Sequence, residues 1–128
     1  MIGYIANIEE ATLANNYFRR VLFTGKYCQL VVMCLQAGED IGLEVHNTVD
    51  QFFRAESGEG KVVMNGEETL IKNGSAIVVP AGTEHNIINT GSTPLKIYTI
   101  YSPPNHKDGI IHTTKVEALA DETDVVAV

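Results

Sequence analysis

From residue 17 onward the chain breaks into short apolar segments: "YFRRVLF", "CQLVVMCLQ", "DQFFRAE", "GKVVMN", "ETLI", "SAIVVP", "EHNIIN" and "LKIYTIY". Between them lie "TGK", "AGED", "SGEG", "NGE", "KNG", "PAG", "NTGSTP" and "SPPN". Segments this short and evenly spaced, punctuated by Gly, Asn and Pro, predict the strands of an all-β sandwich or barrel. Helical periodicity is weak except near the ends, where "NIEEATLA" and "TTKVEALADE" each predict a helical turn or two. The acidic tail "ADETDVVAV" is expected to fray. With no repeat, low-complexity run or linker, one domain is expected over 1–128, its core at about 28–101 and its C-terminal loop and tail at 102–128.

One segment departs from the alternation. "QLVVMCL" is apolar on both faces, whereas a barrel strand needs only one, so a second sheet or a partner subunit is expected to cover the other. A homodimer is therefore expected. Cys28 and Cys34 fall in the same segment, six residues apart, which is roughly 20 Å along a strand and beyond the reach of a disulfide. Both read as reduced core cysteines.

Composition narrows the function. A chain of 128 residues buries a core without staples, so a metal site here would be functional before structural. With 9 basic and 16 acidic residues, a net charge of −7 and no basic stripe, nucleic acid and anionic membranes are poor partners. No apolar run approaches the roughly 20 residues of a membrane span, and "MIGYIANIEE" lacks the features of a signal peptide, so a cytoplasmic protein is expected.

Two stretches carry candidate chemistry. In "GEDIGLEVHNTVDQFFRAESGEG", Glu44 and His46 are two apart and share a strand face; Gln51 lies across a short turn, with Phe53 and Ala55 on its face. In "GSAIVVPAGTEHNIIN", a strand ends at Pro80, turns through Ala81 and Gly82, and re-enters with His85 near its start. If the first face looks inward, Glu44, His46 and Gln51 converge with His85 into four O and N donors, a set that suits a divalent first-row metal. Asp50, one residue out of phase with Gln51, should face away, and Arg54 should lie on the outer face or at a dimer contact.

These spacings resemble those of the cupins, in particular small single-domain members of the RmlC-like superfamily. Gly74, Pro80, Gly82, His85 and Asn89 match every fixed position of the second cupin motif. Gly38, His46 and Gly58 match the first, but Glu44 stands where its first histidine would be and Gln51 where its glutamate would be. The resemblance covers about residues 28–101 and implies a double-stranded β-helix, a jelly-roll barrel holding one metal ion at its mouth. Carried over position by position, the ligands become Glu44, His46, Gln51 and His85. The exchange keeps one negative charge and loses one imidazole, which favours Zn, Mn or Fe(II) at oxygen-rich donors. The alternative is that Glu44 points to solvent, the two histidines hydrogen-bond inside the barrel, and no metal binds.

The nearest functional resemblance is to bacterial cupins grouped with mannose-6-phosphate isomerase. It implies metal-assisted isomerisation of a small molecule such as a sugar, with Glu44 or His106 as the base. No Arg or Lys cluster in the motif segments offers a phosphate site. An Fe-dependent dioxygenase and a non-catalytic binding cupin are the competing readings. Other polar residues have a weaker place in this scheme: His106 and His112, in "SPPNHKDGIIH" beside the mouth, read as solvated loop histidines, and either Tyr98 or Tyr101 faces inward.

Overall fold

The computed structural model describes residues 2–126. Two short helices, α1 (Ile8–Ala14) and α2 (Lys115–Ala120), flank nine strands. The strands are β1 (Arg19–Thr24), β2 (Gln29–Leu35), β3 (Asp50–Ser57), β4 (Glu59–Met64), β5 (Glu67–Lys72), β6 (Ala76–Val79), β7 (His85–Asn89), β8 (Leu95–Ser102) and β9 (Ile111–His112). They form a six-stranded sheet in the order β6-β3-β8-β2-β1-β9 and a three-stranded sheet in the order β5-β4-β7. Every pairing is antiparallel, which yields the double-stranded β-helix expected from the sequence. The pairing of β9 with β1 has no counterpart among the expected strands, because two residues carry no periodicity.

Alternation sets the inner faces. Along β8, Leu95, Ile97, Thr99 and Tyr101 are buried while Tyr98 and Ile100 are half-buried on the other side, so Tyr101 is the tyrosine that faces inward. On β3, Gln51, Phe53 and Ala55 point inward; Asp50 is exposed, and Arg54 lies on the outer face beside Glu56. Apolar side chains from both sheets meet in one core that includes Val31, Met33 and Leu35 of β2, Val62 of β4 and Ile87 of β7. At one end a polar cross-strand row closes it: Tyr101 pairs with Gln29 on one side and Gln51 on the other.

The second apolar face of β2 has an internal cover. Val32 and Cys34 are buried outside the central core, under the amino-terminal segment: α1 packs on β2, β3 and β8, and the Cys34 N–H donates to the Tyr17 carbonyl at 3.1 Å. The apolarity that suggested a second sheet or partner subunit is thus met by the chain itself. A seven-residue helix is too short to persist alone. Here Asn7 caps its start by accepting from the Glu10 N–H, and Lys96 donates to the Leu13 carbonyl at its end. Of the two cysteines, only Cys34 is in the core, where burial raises its thiol pKa; Cys28 precedes β2 and is exposed, contrary to the sequence expectation.

Gly58, the last glycine of the first motif, has a steric reason to be there. It turns β3 into β4 with φ +97°, and a Cβ would meet the Pro94 carbonyl oxygen at 2.6 Å and the Leu95 Cα at 2.9 Å. Gly38 also has a positive φ, +80°, but open space around it. Gly38→Ala should therefore cost only the left-handed strain of about 1–2 kcal/mol, whereas Gly58→Ala should cost clearly more because backbone must also move. Urea midpoints of the two variants check this order, and equal costs would mean that the Pro94 backbone yields freely.

Candidate metal centre

The first motif is brought to the second by backbone pairing. After β2, residues 38–44 run antiparallel along β7: the Gly38 N–H donates to the Asn89 carbonyl at 3.1 Å and the Ile41 N–H to the Ile87 carbonyl at 3.0 Å. Gly42, at φ +109°, lets the chain kink, and its N–H is taken by Asn86 Oδ1 at 3.0 Å. Glu44 and His85 then exchange both backbone hydrogen bonds, each 2.9 Å. Directly opposed residues of an antiparallel pair project to the same face. From the other side, Gly82, at φ +83° in the turn after Pro80, donates its N–H to the His46 carbonyl at 2.8 Å. Asp50 faces away from this set, where its Oδ1 accepts the Ala81 N–H at 2.8 Å and pins the same turn.

The donors of Glu44, His46 and His85 all lie within 4.8 Å of one another, and Glu44 Oε2 is 2.9 Å from His46 Nε2. Donors about 2.1 Å from a common tetrahedral ion are about 3.4 Å apart, so small side-chain adjustments would bring the three onto one ion. His85 has its tautomer fixed, because Nδ1 donates to the Thr83 carbonyl at 2.9 Å and leaves a lone pair on Nε2. That Nε2 is buried without a partner. Gln51, 2% exposed, donates its amide N–H to Thr99 Oγ1 at 3.0 Å, and its carbonyl Oε1 is likewise buried and unpartnered. Buried acceptors left empty are costly, and a cation among Glu44, His46 and His85 would satisfy His85 Nε2. The residues present fit a divalent metal.

Burial pushes the Glu44 carboxyl pKa upward, but the hydrogen bond from His46 and the favourable electrostatics of neighbouring His46, Arg19 and His85 outweigh it and hold the pKa below its usual value. The ionised carboxylate is the form that ligates. Its side chain is 32% exposed and that of His46 16%, so the set opens outward on that side.

Beside it lies a second polar chain. Tyr101, whose ring is 6.0 Å from that of His46, has its hydroxyl 3.0 Å from His106 Nε2, and His106 Nδ1 is 2.7 Å from Asp124 Oδ2. With Nδ1–H donated to the carboxylate, Nε2 accepts the tyrosine proton. Burial raises the Tyr101 pKa far above its normal value, so the phenol stays protonated. Gln29 fixes the arrangement: its Oε1 accepts the His106 N–H at 2.8 Å and its Nε2 donates to the His106 carbonyl at 2.7 Å.

This corrects three sequence expectations. His106 and His112 are buried, not solvated, because each is packed against a tail carboxylate; His112 Nε2 is 2.9 Å from Asp121 Oδ2. The tail is tied down as far as Asp124 by these contacts and by the Lys107 N–H to Asp124 Oδ1 hydrogen bond at 2.8 Å, and its last two residues lie outside the described ones. Arg19, 6% exposed on the inner face of β1, was not foreseen near the site, yet its charge acts on Glu44, Tyr101, His106 and Asp124. Its alternation with Val21, two residues on, was the available signal.

Facing antiparallel sheets with a Glu/His donor set at one end define a jelly-roll barrel with a candidate metal site. The family model for the cupin domain matches residues 31–101, and the chain belongs to that family. It is 53% identical over 125 residues to the uncharacterized protein YrkC of Bacillus subtilis, covering 93% of this chain and 67% of that protein. It is 42% identical over 120 residues to the uncharacterized protein L612 of Acanthamoeba polyphaga mimivirus, covering 90% and 74%. The crystal structure of BH2720 from Bacillus halodurans aligns with a TM-score of 0.91 at 46% identity, covering 92% of this chain and 94% of that one. No described helix is long and apolar enough to cross a membrane.

The His106 chain has a pH consequence. Burial, with the Arg19 charge, lowers the His106 pKa below 6.5 in spite of Asp124. Burial raises the Asp124 pKa, but bonds from His106 and the Lys107 N–H more than offset it. A depressed histidine pKa contributes stability that is present above about pH 6.5 and is lost as pH falls through the lower folded value. The melting temperature should be level above pH 6.5 and decline below it, the Asp124 contribution following at lower pH. His106→Gln should remove the first part of that decline; thermal melts across pH 8 to 5 check it, and an unchanged decline would assign the loss elsewhere.

Proposed function

We propose that Glu44, His46, Gln51 and His85 hold one divalent ion, Zn, Mn or Fe, and that the protein moves a proton on a small carbonyl compound bound there, as in a sugar-type isomerisation. The observation that carries this reading is the buried, unpartnered acceptor His85 Nε2 grouped with the Glu44 and His46 donors, with the unpartnered Gln51 Oε1 on the inner face of β3 as the fourth oxygen offered. Bound there, the ion would supply Lewis acidity toward a carbonyl or hydroxyl oxygen. The chain's own residues supply the rest. Glu44 is engaged as a ligand, so the proton falls to Tyr101, the member of the Tyr101–His106–Asp124 chain that lies beside the donor set. His106 Nε2 takes the phenol proton as Tyr101 withdraws one from the substrate carbon, and returns it when Tyr101 delivers its own to the neighbouring carbon, while the hydroxyl proton passes from one substrate oxygen to the other. Asp124 stabilises the transient imidazolium and keeps the ring in the accepting tautomer.

One observation favours a second reading. Two histidines and one carboxylate meet the donor count of non-haem iron oxygenases. Oxygen uptake by iron-loaded protein, without exchange of substrate C–H for deuterium, would select it.

Metal content per chain, by mass spectrometry on untagged protein, is the first check. Wild type should carry near one equivalent, and His46→Ala and His85→Ala should each lose it while remaining folded; unchanged content in both would remove the site. Glu44→Gln should lose more metal than Asp50→Asn. Tyr101→Phe and His106→Gln should keep the metal yet slow deuterium exchange into hydroxy-ketones by about 10²–10⁴-fold, read by proton NMR. Unaltered exchange would take the proton chain out of the mechanism.

A further inference from the structure

Arg19 is a buried cation with no carboxylate in direct contact among the described residues. It stands on the inner face of β1, 6% exposed. Its guanidinium lies over the Phe18 ring at 5.3 Å, and Nη1 donates to His112 Nδ1 at 3.4 Å, a long bond to a neutral ring nitrogen. Nε is buried with no partner. His112 is in turn held by Asp121, so the one contact Arg19 makes positions it without neutralising it. A guanidinium is a permanent cation with a planar fork of donors, and desolvating it without an acceptor is unfavourable unless something completes it. The C-terminal stretch joins Arg19 to the donor set: Asp121 holds its partner His112, while Asp124 holds His106, whose Nε2 meets Tyr101 beside His46.

We propose that Arg19 is the anion receptor of this site, taking the carboxylate of a small 2-hydroxy or 2-oxo acid whose adjacent oxygen faces Glu44, His46 and His85. The part concerning the adjacent oxygen rests on the metal reading above; the receptor role of Arg19 does not. A carboxylate is favoured over a phosphate because one fork matches one carboxylate, and Arg19 is the sole Arg or Lys among the buried residues described. Arg20 is exposed, and Lys61, Lys115 and Arg54 are committed to Glu68, Asp40 and Glu56.

Isothermal titration of the full chain with lactate and with its neutral isostere lactamide tests this, each on chelator-stripped protein and on protein carrying one equivalent of zinc. Wild type should prefer lactate by about tenfold or more. Arg19→Gln should bring the two ligands to near-equal affinity while metal content stays at the wild-type level. No preference in wild type, or the same preference in Arg19→Gln, overturns the proposal; the latter would mean that the metal alone reads the charge. Should Arg19→Gln fail to fold, Arg19→Lys keeps the cation but loses the fork, and is expected to bind lactate several-fold more weakly, wild-type affinity overturning the proposal. Metal content on the same samples separates the two readings. Arg19-dependent preference in protein that takes up no metal supports the receptor and removes the metal site, whereas metal uptake without preference removes the receptor alone.

Discussion

The site depends on one backbone pair. Glu44 and His85 come from separate motifs, and only their two reciprocal hydrogen bonds hold the residues before β3 against β7 at the point where both side chains enter the same space. The pairing has little ladder around it: between the bridge at Asp40 and the one at Glu44 the chain kinks at Gly42. Gly82 and Asn86 compensate by binding the His46 carbonyl and the Gly42 N–H from the opposite strand and turn. Each motif residue that is not itself a donor therefore has a mechanical task, either permitting a backbone angle or taking a hydrogen bond that an incomplete ladder leaves open.

Below that pair the polar row of Gln29, Tyr101 and Gln51 separates core from site. Three polar side chains in one cross-strand row would be expensive if idle, yet each has two duties. Gln29 holds the loop bearing His106, Tyr101 joins the donor set to the His106–Asp124 pair, and Gln51 binds Thr99 while leaving an oxygen free. Stability and chemistry are coupled here, because the groups that satisfy the barrel's end are the same ones that shape its reactive surface.

Much of this was legible along the chain, for identifiable reasons. Strand alternation placed Gln51, Phe53 and Ala55 on one face and turned Asp50 away, and motif spacing brought Glu44, His46 and His85 into one neighbourhood. Parity alone could not choose between Tyr98 and Tyr101, since a strand has two phases and only its neighbours fix which faces the core. Arg19, Asp121 and Asp124 escaped, and His106 and His112 were read as solvated, because their partners are distant in sequence. A histidine in a Pro-rich loop and an acid in a tail look solvated until the fold closes one over the other. The cover of the second apolar face of β2 was hidden in the same way: α1 lies in a segment whose own pattern gives no sign of where it docks.

The exchange of donors between positions 44 and 51 also follows from where each lies. Position 51 is 2% exposed, between Thr99 and Tyr101, so a carboxylate there would bear nearly full desolvation beside a phenol that burial keeps protonated. An amide avoids that cost and still offers an oxygen. Position 44 is partly open and within reach of the Arg19 charge, so the negative charge is cheaper there and remains ionised. The site thus keeps one formal charge but moves it from the floor to the rim, next to the face that opens to solvent.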